Sequence, residues 1–224
     1  MKLLISGHTS LIAQELEKIL KEKYGLDLDI MRVGRHETSD FLCDLGEFSS
    51  IKNFIEKILN KEHFDFVFLN HGILLGKKAL ELSESEARDY MMINCFSTVA
   101  ILEAFTTHKN TNIVVTSSIS AKEGSYDPMY ASTKAGVDSF RLRAGSSFDS
   151  SVRLNFVSPG VIGDASMTTR RKDQNNVNAI ELSTPTRNLT NSYEIANLVS
   201  YLLLSPGNIH CQDFGINGGK SLNR

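Results

Sequence analysis

Phe64 to Leu69 (FDFVFL) and Asn112 to Thr116 (NIVVT) are short runs with almost no polar interruption. A strand with one wet face alternates apolar and polar residues, so runs like these imply strands buried on both faces. Between them the chain changes period. Leu11 to Lys23, Phe48 to Leu59, Ser83 to Thr107, Asp127 to about Ser147 and Tyr193 to Leu204 carry helical spacing of apolar residues. Further strands are expected at residues 2–6, 27–33, Phe41 to Leu45, Val152 to Val157 and within 209–219. Strands alternating with helices give an α/β fold, with a parallel sheet covered by helices on both faces. Right-handed crossovers then make the sheet doubly wound. In such a sheet, ligands bind beyond the carboxyl ends of the strands. Gly7, Arg35, Asp44, Asn70, Ser118 and Pro159-Gly160 are expected at that edge.

The chain has 224 residues, the size of one large α/β domain, and no repeat or linker divides residues 1–224. Only 165–191, polar and weakly periodic, breaks the pattern, and it reads as a surface insertion or a substrate lid. A net charge of −2 gives no electrostatic case for nucleic acid or an anionic membrane. No apolar run approaches a membrane span, and the run from Met1 to Gly7 is too short to be a signal peptide. Three well-separated cysteines, Cys43, Cys95 and Cys211, fit reduced thiols in a cytoplasmic protein. The six histidines show no metal-ligand spacing, so no metal site is expected.

One constellation carries chemistry. Asp127-Pro128 reads as a helix start, with Asp as N-cap and Pro at the first helical position. Tyr130 then lies in the first turn, and Lys134 follows four residues later on the same face. A free phenol has a pKa of about 10, and a neighbouring ammonium and a helix N-terminus both favour the phenolate. A tyrosine able to exchange protons near neutral pH is the expectation. Ser117-Ser118, closing the strand at 112–116, lies about twelve residues upstream. Thr9 and Ser10 precede the first helix, where hydroxyls and free amides suit phosphate oxygens.

These features, in this order, resemble the short-chain dehydrogenase/reductase family over essentially the whole chain. The resemblance rests on the first strand and its Gly7 turn, Asp44, Asn70-His71-Gly72, Asn94, Ser118, Tyr130 with Lys134, Pro159-Gly160, and Asn217-Gly218-Gly219. It implies a single Rossmann-type domain and a nicotinamide cofactor. It gives the cofactor cleft Gly7, Thr9, Ser10, Leu11 and Ile12 from the first turn, and Arg35, Asp44 and Leu45 from beyond strands two and three. Asn70, His71 and Gly72 follow the fourth strand, and Tyr130 and Lys134 come from the helix. Pro159, Gly160 and Ile162 complete it. The family's loop reads Thr-Gly-x-x-x-Gly-x-Gly, whereas here the second and third glycines are Leu11 and Ala13. After Pro159-Gly160 the family's threonine is replaced by the run to Asp164, or displaced to Thr168.

By the same resemblance, Tyr130 exchanges a proton with the substrate oxygen and Ser118 holds that oxygen, with Ser117 as the alternative. Lys134 lowers the tyrosine pKa and binds the nicotinamide ribose, and Asn94 holds a water of the proton relay. NAD-preferring relatives place an acid after strand two; this chain has Gly34-Arg35, which suits the 2′-phosphate of NADP, with NAD the second choice. The expected function is an NADP-dependent oxidoreductase acting on a small-molecule carbonyl or alcohol. A non-catalytic nucleotide sensor or scaffold, and a dehydratase or epimerase on the same fold, are the alternatives. The helices carrying Asn94 and Tyr130 are apolar on more than one stripe, from Met91, Met92, Ile93, Phe96, Val99, Ile101, Leu102 and Phe105 to Val137, Phe140 and Leu142. This predicts a homodimer, or a homotetramer built from dimers.

Overall fold

The computed structural model describes residues 1–144, 146–169, 174–204 and 207–222. Seven strands form one parallel sheet. They are β1 (Lys2–Ser6), β2 (Asp29–Gly34), β3 (Phe41–Leu42), β4 (Phe66–Leu69), β5 (Asn112–Thr116), β6 (Arg153–Pro159) and β7 (Asp213–Ile216). Their order is β3-β2-β1-β4-β5-β6-β7, and every pairing is parallel.

Helices cover both faces. They are α1 (Leu11–Lys18), α2 (Phe48–Phe54), α3 (Glu84–Met91), α4 (Ser97–Ala104), α5 (Ser120–Glu123), α6 (Pro128–Ala144), α7 (Ser166–Thr169), α8 (Gln174–Ser183) and α9 (Ser192–Leu204). Leu3, Ile5, Phe68 and Val114 point to one face, where α1, its π-helical continuation at Ile19–Lys23 and α9 bring Leu16, Leu20, Ile195, Val199 and Leu203. Leu4, Val67, Ile113 and Val115 point to the other, against Phe54 of α2, Ile101 and Leu102 of α4 and Val137 of α6. Alternate residues of one apolar strand therefore serve two cores. Phe54, Phe64, Phe68, Phe105 and Phe156 are completely buried, and each contributes roughly 1.5–3 kcal/mol by leaving water.

The rod expected from Ser83 to Thr107 forms as α3 and α4, joined by a π-helical turn at Met92–Phe96 that contains Asn94. Its start is a capping box: Ser83 Oγ accepts from Glu86 N at 3.2 Å, and Glu86 returns a carboxylate to Ser83 N. Strand three is shorter than expected. It stops at Leu42 because the Asp44 amide turns to Ser50 Oγ and its carboxylate to the Gly46 amide. Strand two starts at Asp29 rather than residue 27. Segment 165–191 contains α7 and α8, which its periodicity did not reveal, and α5 was also unforeseen. In α8 Val177 is buried while Leu182 is exposed, so no continuous apolar stripe marks the helix. Residues 170–173 of that segment, and residue 145 of the helix expected to reach Ser147, lie outside the described residues.

The strand order reverses between β1 and β4, where the chain leaves β1 towards β2 on one side and β4 lies on the other. Crossovers on opposite faces open a crevice there. Gly7 allows it: its φ is +66°, and a Cβ on it would stand 2.6 Å from the Asn70 carbonyl oxygen. No helix of the described residues is long and apolar enough to cross a membrane.

Candidate active site

A cleft runs along the carboxyl edge of the sheet in two lobes, of about 420 and 630 Å³. Both are lined by Thr9, Ser10, Asn70, His71 and Gly72, and both are roofed by Ser166 and Met167 from α7. The larger lobe adds Gly7, Arg35, Asp44 and Leu45. The smaller adds Leu11, Ile12, Ser118, Tyr130, Lys134, Pro159, Gly160 and Ile162. Every residue expected at the cofactor cleft thus faces one lobe or the other.

Ser118, Tyr130 and Lys134 come together at the smaller lobe. Asp127 caps α6 through its Oδ1, which accepts from the Tyr130 amide at 3.0 Å. Tyr130 is hydrogen-bonded to Ser118. Lys134 is buried, its Nζ 5.9 Å from the Tyr130 ring centre and donating to the Thr116 carbonyl at 3.0 Å. Burial brings the Lys134 pKa down to about 8. Gly72 makes room: a Cβ there would meet Asn94 Oδ1 at 3.3 Å and Lys134 Nζ at 3.6 Å.

One expectation changes here. The Tyr130 pKa is raised, not lowered. Burial is the main cause, with Asp127 and Tyr126 adding to it, and only the Ser118 hydrogen bond pulls the other way. Lys134 does not offset burial at the phenol, because with a pKa of about 8 it is already neutral where the phenol ionises. Asn94 does not line the cleft. Its Oδ1 accepts from Ile73 N at 2.7 Å and its Nδ2 donates to Ile73 O at 2.9 Å, so the amide pins the loop that leaves β4.

His71 belongs to a buried polar chain. Asn70 N donates to Ser6 Oγ, so the Ser6 proton is free for His71 Nδ1 at 2.6 Å. Ser97 Oγ donates to Ile93 O, so it accepts from His71 Nε2–H at 2.9 Å, with Thr98 Oγ1 nearby. These roles define the neutral Nε2–H tautomer. Burial, with Lys134 close by, brings the His71 pKa down to about 3. An unfolded histidine titrates near 6.5, so the contribution is complete above about pH 6.5 and is lost as pH falls towards 3. The loss is on the order of 5 kcal/mol. Thermal unfolding from pH 7 to pH 4 is therefore expected to fall more steeply in the native protein than in His71→Asn; parallel curves would remove His71 from the acid response.

Asp164 does not face the cleft as a free acid. Its carboxylate accepts from Ser192 N at 3.0 Å and from Ser192 Oγ at 2.9 Å, and so caps the start of α9. Thr168 is buried and absent from the cleft wall, which Thr169 lines instead. Among the described residues no cluster of His, Cys, Asp or Glu is arranged to hold a metal.

A family model described as enoyl-(acyl carrier protein) reductase matches residues 29–221, most of the chain. The chain belongs to the short-chain dehydrogenase/reductase family. Its fold is similar to that of a short-chain dehydrogenase family protein from Francisella tularensis, with 21% identity over 99% of both chains and a TM-score of 0.81. It is similar to a short-chain dehydrogenase/reductase, glucose/ribitol dehydrogenase, from Brucella melitensis, with 20% identity, 98% of this chain and 96% of that chain covered, and a TM-score of 0.83. A tyrosine-to-phenylalanine variant of ElxO with NADPH bound matches at 19% identity over 99% of both chains, with a TM-score of 0.80. No curated protein matches the sequence.

Within this family the altered glycine loop is accommodated simply. Leu11 lines the smaller lobe and is 45% exposed, whereas Ala13 is completely buried in the α1 face, small enough for the helix to lie close to β1. Ser10 Oγ accepts from Ala13 N at 3.2 Å and from Asn70 Nδ2 at 2.6 Å, which leaves its proton for an acceptor in the cleft. The backbone loop, the Ser10 proton and the α1 N-terminus fit an anionic pyrophosphate. The residues missed from sequence are Thr116, Asp164, Ser166, Met167 and Thr169, from the cleft wall, and Tyr90 behind it. Tyr90 lies four residues before Asn94 on the same helical rod, the one signal that could have found it.

Proposed function

We propose that this chain is an NADP-dependent oxidoreductase that interconverts a small-molecule carbonyl and its alcohol. The observation that carries it is Tyr130, paired with Ser118 at the smaller lobe with Lys134 buried beside it. A phenol whose pKa is raised by burial is protonated at neutral pH, and so stands ready to give a proton to a carbonyl oxygen. Ser118 holds that oxygen beside Tyr130. Lys134 donates to the ribose, and Asn94 fixes the Ile73 loop beside it. The adenosine end lies in the larger lobe, with Arg35 on the 2′-phosphate and Asp44 and Leu45 against the adenine. Bound in this cleft, the nicotinamide cofactor supplies the hydride.

The chain acts as one domain, with segment 165–191 as the substrate lid. Met167 and Ser166 roof both lobes, and Thr190, at the far end of the segment, is tied by its Oγ1 to the Ile216 carbonyl. Three free cysteines suit a reducing cytoplasm. The test is direct: NADPH should enhance its fluorescence on binding and raise the melting temperature, and should then be oxidised by members of a panel of aldehydes and ketones. Binding without turnover on any carbonyl would defeat the carbonyl-reductase reading.

Assembly as a homodimer or homotetramer follows from the same helices. Ile101, Leu102, Phe105 and Val137 are spent on the sheet, whereas Met91, Phe96 and Leu142 remain exposed, and Phe96 stacks with exposed Phe48 at 5.6 Å. Light scattering at micromolar concentration is expected to return at least twice the mass of the chain. A single-chain mass there would leave these side chains on the surface of a monomer.

A further inference from the structure

Behind the cleft, Asp127 is completely buried, and its carboxylate is fully used. Oδ1 accepts from the Tyr130 amide at 3.0 Å, and Oδ2 accepts from the Gly76 amide at 3.0 Å and from the Tyr90 hydroxyl. Tyr90, also completely buried, accepts in turn from the Leu75 amide at 2.6 Å. Gly76 reaches this arrangement with a φ of +69°, a conformation that lets successive amides of the loop converge on one acceptor pair. Three residues earlier in that loop, Ile73 lines the cleft and is pinned by Asn94. A helix cap needs only one acceptor; this carboxylate joins α6, α3 and the loop after β4.

We propose that Asp127 and Tyr90 are positioning residues for proton transfer: they lock the first turn of α6, and with it Tyr130, to the cleft wall, and they keep a carboxylate one helical turn from the phenol. The inference rests on the reading of Tyr130 as proton donor. The groups facing the phenol are Ser118 from the turn after β5, Tyr126 and Asp127 before α6, and Lys134 within it. Asp127 is the fixed negative charge among them, and it disfavours the phenolate, reinforcing burial. Lys77, one residue beyond Gly76, is paired with Glu86 of α3 at 2.6 Å. The Tyr90 hydroxyl, which donates to the carboxylate, moderates its charge.

Replacing each member therefore moves Tyr130 in opposite directions. Asp127→Asn removes the charge but keeps an oxygen for the Tyr130 amide, and the Tyr130 pKa should fall. Tyr90→Phe leaves the carboxylate without its hydroxyl donor, and the Tyr130 pKa should rise. The titration can be read without turnover, by NMR of tyrosine labelled with carbon-13 at Cζ, the Tyr130 signal being assigned by its loss in Tyr130→Phe. NADPH affinity, by fluorescence, is expected within about twofold of native in both variants, because the cleft residues are untouched. Turnover of phenanthrenequinone with NADPH is expected to fall about ten- to a hundredfold in Asp127→Asn, the cost of a misplaced donor. If Asp127→Asn does not fold, Tyr90→Phe alone decides through the sign of its shift. Unmoved titrations, or shifts of the same sign in both variants, would overturn the proposal. Full turnover in Tyr130→Phe would defeat the donor reading alone, and the two titration shifts would still decide whether Asp127 and Tyr90 position the phenol.

Discussion

Tyr130→Phe is expected to keep its fold and its affinity for NADPH and to lose at least about a hundredfold in turnover, the scale of a general acid. The fold should survive because the native hydroxyl is bonded to Ser118, a side chain on the cleft wall that does not support the core. Cofactor binding should survive because the ring itself remains to line the lobe. What disappears is the one hydroxyl proton that burial holds in place at neutral pH next to the Ser118 hydroxyl. Lys134→Ala should differ in kind, lowering both turnover and cofactor affinity, since its ammonium faces the cleft as well as the Thr116 carbonyl. Turnover of Tyr130→Phe within a few-fold of native would remove the phenol from the mechanism.

The framework was legible because both-face burial leaves a direct trace in sequence. Leu3, Ile5 and Phe68 serve one core while Leu4 and Val67 serve the other, so apolar residues at successive positions could only mean an interior strand. The edge residues followed, because a doubly wound sheet puts its strand-ending residues in one crevice, and Gly7, Asn70 and Gly160 lie there. Three things were not legible. In segment 165–191, α8 buries Val177 but exposes Leu182, so it has no stripe to show. The capping role of Asp164 in the cleft wall was hidden because its partner, the α9 N-terminus, begins 28 residues later in sequence. The sign of the Tyr130 shift depends on burial, which also lowers the Lys134 pKa, and spacing of four residues does not report burial.

Arg35→Ala is expected to weaken NADPH by one to two decades and to leave NADH nearly unchanged. Of the two arginines near the end of β2, only one is available. Arg32 is held by Glu17 at 2.6 Å and by Asp40 at 3.5 Å. Arg35 is exposed at the larger lobe, and no protein partner engages its guanidinium among the described residues. Gly34 precedes it, so no carboxylate stands at the strand end to bind a free 2′-hydroxyl or repel a 2′-phosphate. A charged hydrogen bond is worth roughly 1.5–3 kcal/mol, or about one to two decades in affinity. The partner of such a bond is present only in NADPH. Exposure makes the interaction sensitive to salt, so the gap between the two cofactors should narrow as ionic strength rises. Fluorescence titration of both cofactors, with native protein and variant at two salt concentrations, measures it. Equal losses for NADPH and NADH, or a native protein that prefers NADH, would mean that Arg35 does not read the phosphate.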